Sequence, residues 1–168
     1  MSTAKVITIL HPSSAVNNIV NDASGNVALG NNLTVAGSST ITGAATLSST
    51  LGVTGNTTVA AYSETVIAIG TVTTASTLSI AAGTVQTATL TASTACTFTM
   101  PTATAGKSFL LLLKQAATTG NGTATFTGVK WGTAGAPTIT ATAGKMDILT
   151  FVADGTNWYG STAQGYTP

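Results

Sequence analysis

The sequence predicts an all-β protein in two parts: a short stalk, β-helix-like or intertwined among three chains, followed by a β-sandwich-like domain. Three observations lead there. Thr, Ala, Gly and Ser fill 96 of the 168 positions, while charged residues make up only 5%. Thr and Gly are poor helix formers, and the Glu, Lys and Leu that build helical bundles are scarce. Between Gly25 and Tyr62 an aliphatic residue recurs every six positions. Beyond about Thr65 the apolar period becomes two, the period of a half-buried strand. An apolar fraction of 43% separates the chain from disordered sequences, which combine low hydrophobicity with high net charge.

The six-residue period carries the first part, residues 25–64. Leu29, Val35, Ile41, Leu47, Val53 and Val59 follow one another without a slip. Thr stands just before the aliphatic residue at Thr34, Thr40, Thr46 and Thr58. Two positions after it come Asn31, Gly37, Gly43, Ser49, Gly55 and Ala61. A helix would require a stripe at about 3.6 residues. Six fits an extended stretch of about three residues followed by a turn of about three. β-Branched Thr and Val favour the extended part, and Gly, Asn and Ser favour the corner. One short strand cannot bury its own face, so such units must stack on neighbours.

Two arrangements satisfy this: a single chain winding three hexads per coil, or three chains winding round a common axis with one face each per layer. Six hexads give a single chain only two coils, fewer than the three or so repeats that stability usually requires. A threefold assembly triples the aliphatic residues per layer, so the six aliphatic positions are expected to form a trimer core. Whether the three chains intertwine or lie as parallel single-chain coils stays open at this point.

The second part, residues 65–168, reads as a series of short strands. Thr77–Ile80, Val85–Leu90 and Cys96–Met100 alternate, and Pro101 ends the third. Phe109–Leu113 is apolar on both faces and is expected to be a central strand covered on both sides. Thr118-Thr119-Gly120-Asn121-Gly122 is a turn. Thr123–Phe126, Val129–Trp131, Thr138–Thr140, Ile148–Val152 and Trp158-Tyr159 complete the set, with a hairpin turn at Asp154-Gly155-Thr156-Asn157. Short strands at this spacing suggest a sandwich or barrel. Lys114, Lys130, Lys145 and Asp147 are expected at strand ends or on the surface. The two Trp residues and all four Phe residues lie after residue 97, so the core that can stand alone belongs here.

Charge limits the partners. With five Lys, no Arg and four acidic residues, the net charge is +1. No basic stripe exists for nucleic acid or for anionic lipid, and neither is an expected partner. The strongest apolar run, Phe109–Leu113, is far short of the roughly 20 residues of a spanning helix. Lys5 and the apolar Val6–Leu10 are cut off by His11-Pro12, so no signal peptide is read there. A single cysteine, Cys96, allows no intrachain disulfide, and assembly in the cytoplasm is expected.

Two stretches carry a resemblance. Gly30–Gly37, Ile41–Gly43 and Thr46–Gly55 resemble the repetitive stalk of tailed-bacteriophage fibres and related virion surface proteins. The landmarks Phe98, Pro101, Gly106, Phe109–Leu113, Trp131, Ala143-Gly144-Lys145, Asp147, Asp154-Gly155-Thr156 and Trp158-Tyr159-Gly160 resemble an end module that recurs in such proteins. The resemblance implies a homotrimeric virion component, assembled in the host cytoplasm. The short chain then fits a capsid decoration (cement) protein or short head fibre, with residues 1–24 docking on the major capsid protein or another virion protein. A tail fibre component that contributes to host attachment is the alternative.

Enzymatic chemistry finds little material, and no catalytic residue, metal or cofactor is expected. The hexads also match the pattern of hexapeptide-repeat acyltransferases, which use a His as general base. The one histidine, His11, stands outside the hexads beside Pro12. One His, one Cys and four scattered carboxylates do not make a metal site. Asp147 and Asp154 are the one close pair of carboxylates, and Asp154 already has a turn role. Gly106-Lys107-Ser108 lacks the glycine a phosphate loop needs five positions earlier, which is Pro101. Cys96 is expected to pack as a small hydrophobe. Trp131, Trp158 and Tyr159 are the candidates for an aromatic platform that binds a host surface glycan.

Overall fold

A computed structural model of the chain describes residues 19–21, 27–29 and 32–168. The described residues form eleven strands and no helix. The chain divides into two units, Met1–Thr57 and Thr58–Pro168, so the hexad of Val59 belongs with the second. His11 and most of segment 1–24 lie outside the described residues.

In the first unit, β1 (Ile19–Asn21) pairs antiparallel with β2 (Val27–Leu29), placing Leu29 opposite Ile19. From residue 32 the chain has no regular secondary structure and bends in step with the hexads, at Ala36-Gly37, Gly43, Ser48-Ser49 and Thr54-Gly55. Each bend falls one or two residues after an aliphatic position, where the small residues stand. Among the described residues, 32–65 join no strand of their own chain.

The second unit winds. Its strands are β3 (Val66–Val72), β4 (Ala75–Thr77), β5 (Val85–Leu90), β6 (Ala95–Thr99), β7 (Ser108–Lys114), β8 (Thr123–Thr127), β9 (Val129–Trp131), β10 (Met146–Ala153) and β11 (Trp158–Tyr166). β3, β5 and β7 lie parallel in one sheet, and β4, β6 and β8 lie parallel in a second. The chain alternates between the two, so each pair β3–β4, β5–β6 and β7–β8 is one coil of a β-solenoid-like stack. The first sheet then continues through an antiparallel hairpin, giving the order β3-β5-β7-β10-β11-β9.

Two sheets around one core were expected, but the parallel wiring differs from the hairpin wiring of a sandwich. The sequence conceals the coil because its length varies. Val66 pairs with Val85 and Val85 with Leu110, steps of 19 and 25 residues. Unequal coils leave no fixed repeat to detect, and strand spacing alone does not separate parallel from antiparallel neighbours.

The core lies between the two sheets. Phe98 and Phe126 are register partners on β6 and β8 and stack with centroids 5.2 Å apart. Phe109 and Phe151, partners on β7 and β10, stack at 4.8 Å. Trp158 meets Phe109 edge-on, and Trp131 meets both Phe126 and Phe151 edge-on. Such tilted pairs put ring edges against ring faces and add to the burial term. Cys96 is buried among these residues, as expected of a small hydrophobe.

Buried polar side chains hold the irregular segments. Gln115 donates to the carbonyls of Gly122 and Thr140 and accepts from the Gly122 amide. Gln86 donates to the Ser79 carbonyl. Asp147, expected at a strand end or on the surface, stands at the start of β10 but is 1% exposed. It accepts from the amides of Thr140 (2.7 Å) and Gly165 (2.9 Å) and from Gln164. This corrects a second expectation. Thr138–Thr140 is not a strand, because side chains satisfy its backbone: Asp147 takes the Thr140 amide, and Gln164 donates to the Thr138 carbonyl.

Phe109–Leu113 also departs from expectation. Phe109, Leu111 and Leu113 point into the core, whereas Leu110 is 37% exposed and Leu112 half-buried on the outer face. Register extends that outer face across five strands. One row runs Val66, Val85, Leu110, Thr150, Ser161, and the next Ala68, Thr87, Leu112, Ile148, Ala163.

Candidate functional site

The hexad row is the first candidate. A bend follows each aliphatic side chain from Val35 to Val53 by one or two residues, so each stands at the same place relative to the turn of its unit. None is buried by its own chain: exposure runs from 40% at Leu29 to 65% at Ile41. Every described residue from 32 to 66 is exposed. Burying a side chain such as Leu or Val contributes roughly 1.5–3 kcal/mol, so six unburied residues forgo a large stabilisation. The backbone amides and carbonyls of residues 32–65 also lack strand partners within the chain, and burying them between chains would require them to pair there.

The glycines of the row add a second observation. Gly37, Gly43, Gly52 and Gly55 have no positive φ, and a Cβ at any of them meets nothing within 4 Å. Neither backbone conformation nor in-chain packing accounts for glycine at these positions. Close approach of another backbone is the remaining physical use of a residue without Cβ.

The three aromatic candidates do not converge. Successive residues of a strand face opposite ways, so Trp158 and Tyr159 point to opposite sides of β11. Trp158 is 2% exposed and its indole N–H donates to the Pro101 carbonyl at 2.7 Å, so it presents no free face to a sugar. This overturns its place in a platform. Tyr159 is exposed, but its hydroxyl donates to Asp154 Oδ2 at 2.8 Å. Trp131 is half-buried and lies against Gly160 beside a shallow groove of about 480 Å³, lined also by Pro137, Thr138, Thr162 and Gln164.

Asp154 and Tyr159 form the electrostatic feature of the β10–β11 turn. Asp154 Oδ1 accepts from the amides of Thr156 and Asn157. The Asn157 amide, then the Thr156 amide and the Tyr159 hydroxyl, hold its carboxyl down from 3.8 to about 2. Tyr159 is shifted the other way, above its ordinary value, by its hydrogen bond to Asp154 and by the carboxylate charge. The carboxylates of Asp147 and Asp154 therefore both serve turns and chain ends. Among the described residues no group of three or more His, Cys, Asp or Glu is placed to hold a metal ion.

The outer face that carries Leu110, Leu112 and Ile148 was missed as a surface. Its signal was present in Phe109–Leu113, a run apolar on both faces. No family model, no curated protein and no solved structure matches this chain.

Proposed function

We propose that the chain is a non-enzymatic structural protein that works as a homotrimer on the outside of a bacteriophage particle, as a capsid decoration (cement) protein or short head fibre. One observation carries the threefold reading: residues 32–66 are exposed throughout, yet bear an aliphatic side chain every six positions with bends in step. Three such chains round one axis bury Leu29, Val35, Ile41, Leu47, Val53 and Val59 against their counterparts and give the unpaired backbone groups partners. The glycines without an in-chain role favour intertwined chains over three separate coils, because intertwining brings backbones close.

The placement on a virion rests on the resemblance of the hexads and of the end module to phage surface proteins. In this reading the work is mechanical. Residues 1–24 grip the shell, the hexads hold three copies together, and the second unit projects. Few charges suit surfaces buried among three chains, where an unpaired charge is costly to desolvate.

Mass in solution tests the trimer. Three times 16.5 kDa is expected, and a monomer would remove the basis of the proposal. Copy number on the particle tests location: hundreds per virion support capsid decoration, and a few dozen or fewer support a tail fibre.

A further inference from the structure

We infer that the outer face of the six-stranded sheet is a second contact surface between copies of this chain, packed toward the threefold axis; this rests on the homotrimer proposed above. The face is apolar where solvent would favour polar residues. Leu110, Leu112 and Ile148 stand at its centre, with Val66 and Val85 on the same rows. Five strands at about 4.8 Å spacing make it roughly 20 Å wide. Its outward positions carry two charges, Lys114 at the end of β7 and Lys130 on the edge strand β9, and both stand outside the two apolar rows.

Two further observations say what covers it. The chain enters the second unit on this face: Tyr62 and Glu64 line a groove of about 380 Å³ together with Thr84, Ser108, Leu110 and Thr150. Glu64 accepts a hydrogen bond from the Thr84 hydroxyl, tying the entering segment there. Val59, the last aliphatic residue of the hexad row, is only seven residues before Val66, which is at most about 25 Å of extended chain. Three chains that share an axis at Val59 therefore deliver three such faces close to that axis. Tethering raises their effective concentration to the millimolar range, so a face too small to hold free subunits together still closes.

The test is distance measurement between spin labels in the full-length protein. Single cysteines are introduced as Thr150→Cys on the outer face of the large sheet and as Thr125→Cys on the outer face of the small sheet. Cys96 is 1% exposed and stays unlabelled, which labelling of the unaltered protein checks. Because packed sheets stand about 10 Å apart, Thr150 labels are expected to be nearer one another than Thr125 labels by roughly 15 Å or more. Adding Ile148→Glu is expected to lengthen the Thr150 distances while the mass stays that of a trimer. A trimeric mass with Thr150 labels as far apart as Thr125 labels, or farther, overturns this inference and leaves the trimer standing. A monomeric mass with no dipolar coupling at either position overturns both.

Discussion

Gly160 lies so close to Trp131 that a Cβ on it would stand 2.5 Å from Cζ3 of the indole and 2.8 Å from Cη2. The two are register partners on β11 and β9, and Phe151 is the partner of Gly160 on β10. Glycine leaves the space into which the ring tilts to reach Phe126 and Phe151. That ring closes the edge of the large sheet over the aromatic core.

Gly160→Ala is accordingly expected to destabilise the protein by about 1–3 kcal/mol, the cost of overpacking a filled site. The denaturant midpoint measures it. Combining it with Trp131→Leu should lose less than the sum of the two single changes, because the removed ring is what the methyl group strikes. Strict additivity would show that the contact does not constrain the fold.

The hexad row yields three sharper variants. Ile41→Asp or Leu47→Asp should abolish the trimer seen by sedimentation, because each places three charges at one level of a buried axis. Gly43→Val should also weaken assembly, although within one chain a side chain at 43 meets open space. Unchanged assembly in all three would mean that these side chains face no common axis.

Asp147 is expected to be the most sensitive acidic residue. Asp147→Ala leaves the amides of Thr140 and Gly165 without their acceptor in a closed environment. An orphaned buried donor costs about 1–3 kcal/mol, so a loss of roughly 3 kcal/mol is expected for the pair in thermal or urea unfolding. Asp147→Asn should recover only part of it, since an amide offers one acceptor oxygen where the carboxylate offers two.

The Asp154 turn has a defined pH response. Its folded carboxyl titrates near 2, below the unfolded value of 3.8. The charged form is thus favoured in the folded state. Its stabilisation is complete above about pH 4 and is lost as pH falls from 3.8 toward 2. For Tyr159 the neutral form is favoured, and its contribution is lost only as pH rises through the raised phenol value. Tyr159→Phe should move the Asp154 carboxyl upward in an NMR titration but keep it below 3.8, because the Asn157 and Thr156 amides remain. A carboxyl unmoved by this change would show that the phenol does not contribute.

Much of this protein follows from local chemistry. Thr, Val and Gly in these proportions exclude helices and favour extended chain and corners, whichever chain contacts form later. The hexad bends fall on the small residues that mark each unit in the sequence. The Val85–Leu90 strand, the stop at Pro101 and the Asp154 turn are set the same way, by period two, a missing amide and a side chain that bonds its own backbone. The coil was decided at a distance. Parallel pairing of Val66 with Val85 and of Val85 with Leu110 depends on unequal loops closing around Phe98, Phe109 and Phe151, and residue order carries no mark of that. Burial of Asp147 and Trp158, and the bareness of Leu110, were decided there too. Alternation assigns residues to two faces, but only the packed sheets determine which face meets a core.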